Sequence, residues 1–199
     1  MDKENVKILD QRNAYSGYFR IDAYRLTYRR FDGEWSQPQN YELFERGHGV
    51  AVLPYDPHTD QLVLVEQFRM GALASENPWL IEIVAGVVEE GESHEDVAHR
   101  EAHEEANCTL LALEAIAKVY VSPGGSSETT QIYCAKVNSS SISSDIAGLD
   151  EEGENIRVHT VSYAEAMSAL ASGKVCSAPA VIALQWLQLN KARIQAQWC

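Results

Sequence analysis

Between Gly86 and Cys108 the chain reads Gly-Val-Val-Glu-Glu-Gly-Glu-Ser-His-Glu-Asp-Val-Ala-His-Arg-Glu-Ala-His-Glu-Glu-Ala-Asn-Cys. A glycine-bearing loop runs into a helix whose start is marked by Ser93 and Asp96, a capping-box-like pair, and which extends over about 93–106. Residues three and four apart share a helix face, so Glu101, Glu104 and Glu105 crowd together beside Arg100. Carboxylates that close repel one another, and a helix with no other duty gains little from them. A hard divalent cation removes the conflict: Mg²⁺ takes oxygen ligands, commonly one or two carboxylates with water and substrate phosphate. The segment therefore predicts a loop–helix cradle for a metal and a phosphorylated substrate. Glu104 stays divided between metal contact and an i,i+4 pair with Arg100, and Glu92 between metal and loop. His94, His99 and His103 lack accompanying zinc-type ligands and read as helix-surface residues.

Around this segment the pattern is mixed α/β. Residues 18–31 combine aromatic, β-branched and arginine side chains, and Asp32-Gly33 is a turn signal ahead of a strand at about 39–46. Two or three strands alone are marginal in water, so this small β unit over residues 1–47 must pack on something. The main body, 48–199, has strands at 50–54, 61–68, 79–84, 111–121, 129–137 and 156–161. Closing helices follow at 163–172 and about 179–197, the second with Val181, Leu184, Trp186, Leu187 and Leu189 as its mostly buried face. The serine-rich run 139–144 reads as a mobile loop. A mixed sheet with helices on both sides, an α/β/α sandwich, is the expected fold.

A net charge of −13 argues against nucleic-acid backbones and anionic membranes as partners. An anionic substrate then needs a local positive centre, which a metal and a few arginines would supply. The four cysteines, Cys108, Cys134, Cys176 and Cys199, show no zinc or disulfide spacing. No apolar run of membrane-spanning length is present, and the expected location is the cytoplasm.

Gly86, Glu92, Arg100, Glu101, Glu104 and Glu105 stand at the spacing of the Nudix box, with Ala102 in a hydrophobic position. Six such residues would align by chance about once in 10⁵ chains. The chain departs from the pattern at Asn107, where the family has glycine; Asn is the usual second choice for a left-handed position after a helix. Phe44–His48, Glu66–Arg69, Pro78–Leu80, Ser122–Gly125 and Ala183–Leu187 extend the resemblance nearly end to end, toward the bacterial ADP-ribose pyrophosphatases of the Nudix hydrolases. Pro123, fifteen residues past Cys108, is a further marker of that group.

The resemblance implies a Nudix fold with the N-terminal β unit exchanged across a homodimer, serving dimerisation and substrate contacts. It implies Mg²⁺-dependent hydrolysis of ADP-ribose to AMP and ribose 5-phosphate, with two or three ions per site and Mn²⁺ as a substitute. The carried-over metal ligands are Glu101, Glu105, Glu154 and the carbonyl of Ala85. Aligned without a gap on Ile156–His159, the catalytic base falls on Glu152 rather than Glu151. Carried-over substrate contacts are Tyr18 and Phe19 at the adenine, Glu42, Arg46, Arg69, the backbone of Val87, Ser122, Pro123, Gly124 and Glu128. Tyr41 stands where comparable enzymes often have arginine. A pyrophosphatase for another nucleoside diphosphate sugar, such as GDP-mannose, is the alternative within enzymes. A non-catalytic ligand-sensing Nudix domain is the alternative outside them, although such domains usually lose box glutamates that this chain keeps.

Overall fold

The computed structural model describes residues 2–143 and 145–199. The chain divides into two compact units, Met1–His48 with Tyr120–Thr129, and Gly49–Val119 with Thr130–Cys199.

The first unit is a three-stranded antiparallel sheet: β1 (Val6–Ser16), β2 (Arg20–Tyr28) and β3 (Gln39–Glu45), in the order β1-β2-β3. The sequence reading missed β1. Its run Val-Lys-Ile-Leu-Asp-Gln-Arg-Asn-Ala-Tyr-Ser is exposed at all eleven positions and carries no sustained apolar–polar alternation. Among the described residues of these strands only Asp22 is buried, held by Arg20 Nε at 3.1 Å and Asn13 Nδ2 at 3.3 Å. Lys7 Nζ and the Arg29 guanidinium lie 4.1 and 5.2 Å from the Trp35 ring. The segment 120–129 is strapped to β3: Phe44 N–H donates to Gly125 O, and Ser127 N–H to Phe44 O.

The second unit is an eight-stranded mixed sheet with a helix layer on each face. Its strands are β4 (Gly49–Asp56), β5 (Gln61–Phe68), β6 (Trp79–Glu82), β7 (Val84–Val87), β8 (Ala112–Tyr120), β9 (Thr129–Lys136), β10 (Ile146–Ala147) and β11 (Ile156–Ser162). The main path is β10-β11-β5-β4-β9-β8, with β4 and β9 parallel. β4, buried at all but its first position, reads as the near-continuous apolar run of a strand covered on both faces. Helix α1 (His94–Ala106) packs on one face with Val52, Val63, Val65 and Val158. Helices α2 (Tyr163–Ala171) and α3 (Ala178–Trp198) cover the other with Leu53, Leu62, Leu64 and Ile132. The α/β/α sandwich is as expected. Within α3 the buried positions are Ala180, Ala183, Leu184, Leu187, Ile194 and Trp198; Leu189, expected inside, is exposed.

One departure shapes the site. β4 and β5 pair directly only at Tyr55–Leu62 and Asp56–Gln61, then splay apart. β6 pairs with the last four residues of β5, Val65–Phe68, and β7 with the start of β4. The expected single strand 79–84 is thus two short strands that change partner at Ile83. Periodicity cannot register a change of partner.

The serine run also departs from expectation. Ser139–Ser141 is a single 3₁₀ turn, and Ser139 is buried; Ser144 lies outside the described residues. Ser139 N–H and Oγ donate to Asp56 Oδ2 at 2.9 and 2.7 Å, while His58 N–H donates to Oδ1 at 2.9 Å. Burial pushes the Asp56 carboxyl up, but the bonds from Ser139 and His58 outweigh it and bring the pKa down to about 2. The stabilisation is therefore complete above the unfolded-state pKa, about 4, and is lost as pH falls toward 2. Asp56→Ala is expected to cost about 2–3 kcal/mol at neutral pH. In urea melts the difference from wild type should shrink as the buffer is taken from pH 5 toward 2.

Candidate active site

α1 begins at Ser93, whose Oγ accepts from Asp96 N–H at 3.1 Å. It ends at Asn107 in the left-handed region, φ 51°, with Asn107 and Cys108 N–H bonded back to His103 and Ala102 carbonyls. Between the caps, Val97, Ala98, Glu101, Ala102, Glu105 and Ala106 form the buried stripe. Two carboxylates thus lie on the face that meets the sheet, 9% and 2% exposed.

Glu105 is clamped. Its Oε2 accepts from Ala85 N–H on β7 at 2.8 Å and its Oε1 from Gln67 Nε2 on β5 at 3.2 Å. Burial pushes its pKa up to about 8; the neighbouring Glu101 charge adds to this, and the Ala85 and Gln67 hydrogen bonds and the Arg69 charge only partly offset it. Glu101 is likewise raised, first by burial and further by Glu104 and Glu154, against the pull of Arg100. Gly86 is the seat of the Glu101 side chain: a Cβ there would lie 1.7 Å from Glu101 Oε1. The glycine that opens the motif is required by that close approach.

Arg100 gathers the remaining carboxylates. Nε and Nη2 donate to the two Glu92 oxygens at 3.0 and 3.1 Å, and Nη1 to Glu101 Oε1 at 2.8 Å and Glu104 Oε2 at 3.1 Å. Nη2 also reaches Val87 O at 3.3 Å. These bonds hold Glu92 below the usual carboxylate range and the guanidinium firmly protonated. The Arg100–Glu104 contact is the i,i+4 pair that was one of the two readings of Glu104.

The acidic loop is tied to α1. Gly148 N–H donates to the backbone oxygen of Glu104 at 3.0 Å, and Leu149 N–H to Glu154 Oε2 at 3.1 Å. Gly148 sits at φ 99°, where a Cβ would fall 2.7 Å from Glu154 Cβ. The Glu154 charge is felt at Glu101. Glu152 lies in the turn Asp150–Glu152 and is exposed; among the described residues its side chain has no hydrogen bond or ion pair, and Glu151 is exposed beside it. Arg69, one residue past β5, is paired through Nε with Glu82 at 2.5 Å.

In the first unit, Tyr18, Phe19 and Phe44 form an edge-on aromatic row with ring separations of 4.7 and 5.0 Å. Arg46 lies 5.8 Å from the Phe19 ring and pairs with Glu128 at 3.4 Å. Tyr18 is 95% exposed, a large aromatic free for stacking. Ser122, Pro123 and Gly124 occupy a tight turn closed by Gly125 and Ser126 N–H onto Ser122 O. Glu42 is exposed on β3 opposite Ala23.

The structure thus gathers Ala85, Glu101 and Glu105, with Glu154 in electrostatic range of Glu101. Among the described residues, no group of three or more His, Cys, Asp or Glu side chains forms a preassembled metal cage. Two adjacent buried carboxylates, both raised by burial and by neighbouring glutamate charge, nonetheless fit a hard divalent cation that completes its shell with water and phosphate. Sequence reasoning gave Gln67 and Glu82 no role. Gln67 lies two residues past the apolar run Leu62–Val65, on the same strand face as Val63 and Val65, and that alternation was the available signal for it.

A family model described as NUDIX domain matches residues 45–193. A protein named ADP-ribose pyrophosphatase from Escherichia coli (strain K12) is 45% identical over 197 residues, 98% of this chain and 94% of that protein. A GDP-mannose pyrophosphatase from Cronobacter sakazakii is 31% identical over 188 residues, 94% and 96% of the two chains. A solved structure titled as an ADP compounds hydrolase has a TM-score of 0.74 at 21% identity, covering 96% of this chain and 97% of its own, a likeness of fold.

Gly86→Ala should drive the Glu101 carboxylate from its seat, at a cost of about 1–3 kcal/mol. Thermal melts with and without Mg²⁺ provide the check. The variant should fold yet lose most of the Mg²⁺-dependent rise in Tm expected of the wild type.

Proposed function

This chain belongs to the Nudix family, and we propose that it hydrolyses ADP-ribose to AMP and ribose 5-phosphate in a Mg²⁺-dependent reaction. The observation that carries the reading is the pair Glu101 and Glu105, buried on one stripe of α1 against Gly86 and Ala85. An arrangement this costly suits a site made to receive cationic charge. The relatives named as ADP-ribose pyrophosphatases, more similar than those named for GDP-mannose, support the choice of substrate.

In this reading Glu101, Glu105, Glu154 and the Ala85 carbonyl hold two or three Mg²⁺ ions, with Mn²⁺ able to replace them. Bound there, the ions would neutralise the diphosphate and acidify water. Glu152 takes a proton from the water whose oxygen attacks phosphorus. The bridging P–O bond breaks and the proton passes to the leaving phosphate. The exposed turn carrying Glu152 is compatible with that role, because a base meeting water needs access to it. Arg46 and Arg69 would place phosphate or ribose oxygens through their planar donors, Glu128 and Glu82 orienting each guanidinium. Tyr18 and Phe19 would stack on adenine, with Glu42, Val87 and the Ser122–Gly124 turn completing the lining.

The working form in this reading is a homodimer with residues 1–47 exchanged between protomers and 48–199 as the catalytic domain. A three-stranded sheet whose first strand is exposed throughout, with Ile8, Leu9 and Tyr15 each more than half exposed, lacks the apolar cover a stable sheet needs. Among the described residues no helix is long and apolar enough to cross a membrane, and all four cysteines are free. Those cysteines suit the reducing cytoplasm.

Glu105→Gln is expected to abolish turnover of ADP-ribose at saturating Mg²⁺ with the protein still folded. Glu152→Gln should lower kcat by about 10²–10⁴-fold and leave ion affinity near wild type. Mass spectrometry of products from ADP-ribose and GDP-mannose in parallel should show AMP and ribose 5-phosphate formed faster. Inactivity of Glu151→Gln with an active Glu152→Gln would move the base by one residue.

A further inference from the structure

Buried amides need partners, and Gln67 has an unusual one. It lies next to last in β5, 7% exposed, and donates through Nε2 to Glu105 Oε1 at 3.2 Å. Its neighbour Glu66 engages a different set, His159 Nε2 at 3.0 Å and Arg157 at 3.6 Å. Alternation along the strand points Gln67 to the face covered by α1 and Glu66 to the opposite one. The other Glu105 oxygen takes the Ala85 amide. A glutamate side chain has freely turning terminal bonds; a donor on each oxygen fixes the carboxylate plane and the directions left open for a ligand. The Ala85 donor is backbone, so Gln67 is the side chain that completes the clamp.

The chemical type matters as well. A leucine or methionine at 67 would leave a buried carboxylate oxygen unpaired. A lysine would supply the bond along with a positive charge, which would neutralise Glu105 and repel an incoming cation. A glutamine gives the bond without the charge.

We propose that Gln67 is a positioning residue that fixes the plane of the Glu105 carboxylate and so sets the affinity of the site for a divalent cation. The proposal rests on the reading of Glu105 as a metal ligand. Mn²⁺ binding to the substrate-free protein, followed by electron paramagnetic resonance of the unbound ion, tests it without relying on turnover. Gln67→Met, close in volume, should fold and bind Mn²⁺ about 10–100-fold more weakly than wild type. Gln67→Asn, one methylene short of the carboxylate, should also weaken binding and serves if the methionine variant does not fold. In assays the half-saturating Mg²⁺ should rise by a similar factor, while kcat at saturating ion stays near wild type. In a Glu105→Gln background, adding Gln67→Met should have no further effect on Mn²⁺, because its target is gone. Wild-type affinity in Gln67→Met beside a weakened Glu105→Gln would overturn the proposal. So would an equal loss in both backgrounds, which would mark Gln67 as general packing. Wild-type affinity in Glu105→Gln itself would instead remove the metal assignment beneath it.

Discussion

Two carboxylates on the sheet-facing stripe of α1 set the terms for the catalytic unit. Hydrophobic stripes ordinarily fill that position, and here Val97, Ala98, Ala102 and Ala106 do so around Glu101 and Glu105. Burial raises both groups; the Glu101 charge raises Glu105 further, and Glu104 and Glu154 do the same to Glu101. Without compensation the helix would be better served by leucine. The protein supplies part of it through the Ala85 amide, the Gln67 amide and one arm of Arg100. In the proposed function the divalent ions supply the rest.

The sheet is arranged around that requirement. Because β4 and β5 part after two paired positions, β6 and β7 enter beside them and present the Ala85 amide and Gly86 to the helix. Gly86 must be glycine because Glu101 lies where a side chain would go, and Gly148 because Glu154 does. Both glycines bear on acids through space. The Gly148 bond to the last turn of α1 then registers the acidic loop against the helix, so one element locates both groups of carboxylates.

Much of this was legible beforehand, for identifiable reasons. The caps of α1 and the spacing of Glu101 and Glu105 are local, and local signals survive folding: the helix runs 94–106 with Asn107 left-handed where glycine is usual. The mixed sheet followed from apolar runs of strand length. What was not legible depends on partners. The switch at Ile83, the clamp by Gln67 and the Arg69–Glu82 pair arise from strand register, which periodicity does not encode. β1 escaped because an exposed strand need not alternate, and the serine run because Asp56, more than eighty positions away, orders it. Leu189 shows the converse error, an apolar residue on the wrong side of α3.

Crystals grown with Mn²⁺ and a non-hydrolysable ADP-ribose analogue, measured for anomalous scattering at the manganese edge, address the core of the account. Peaks within coordination distance of Glu101 and Glu105 oxygens, touching the diphosphate, are the expected result. Manganese absent from those oxygens, with Arg100 still the sole cation on Glu101, would contradict it.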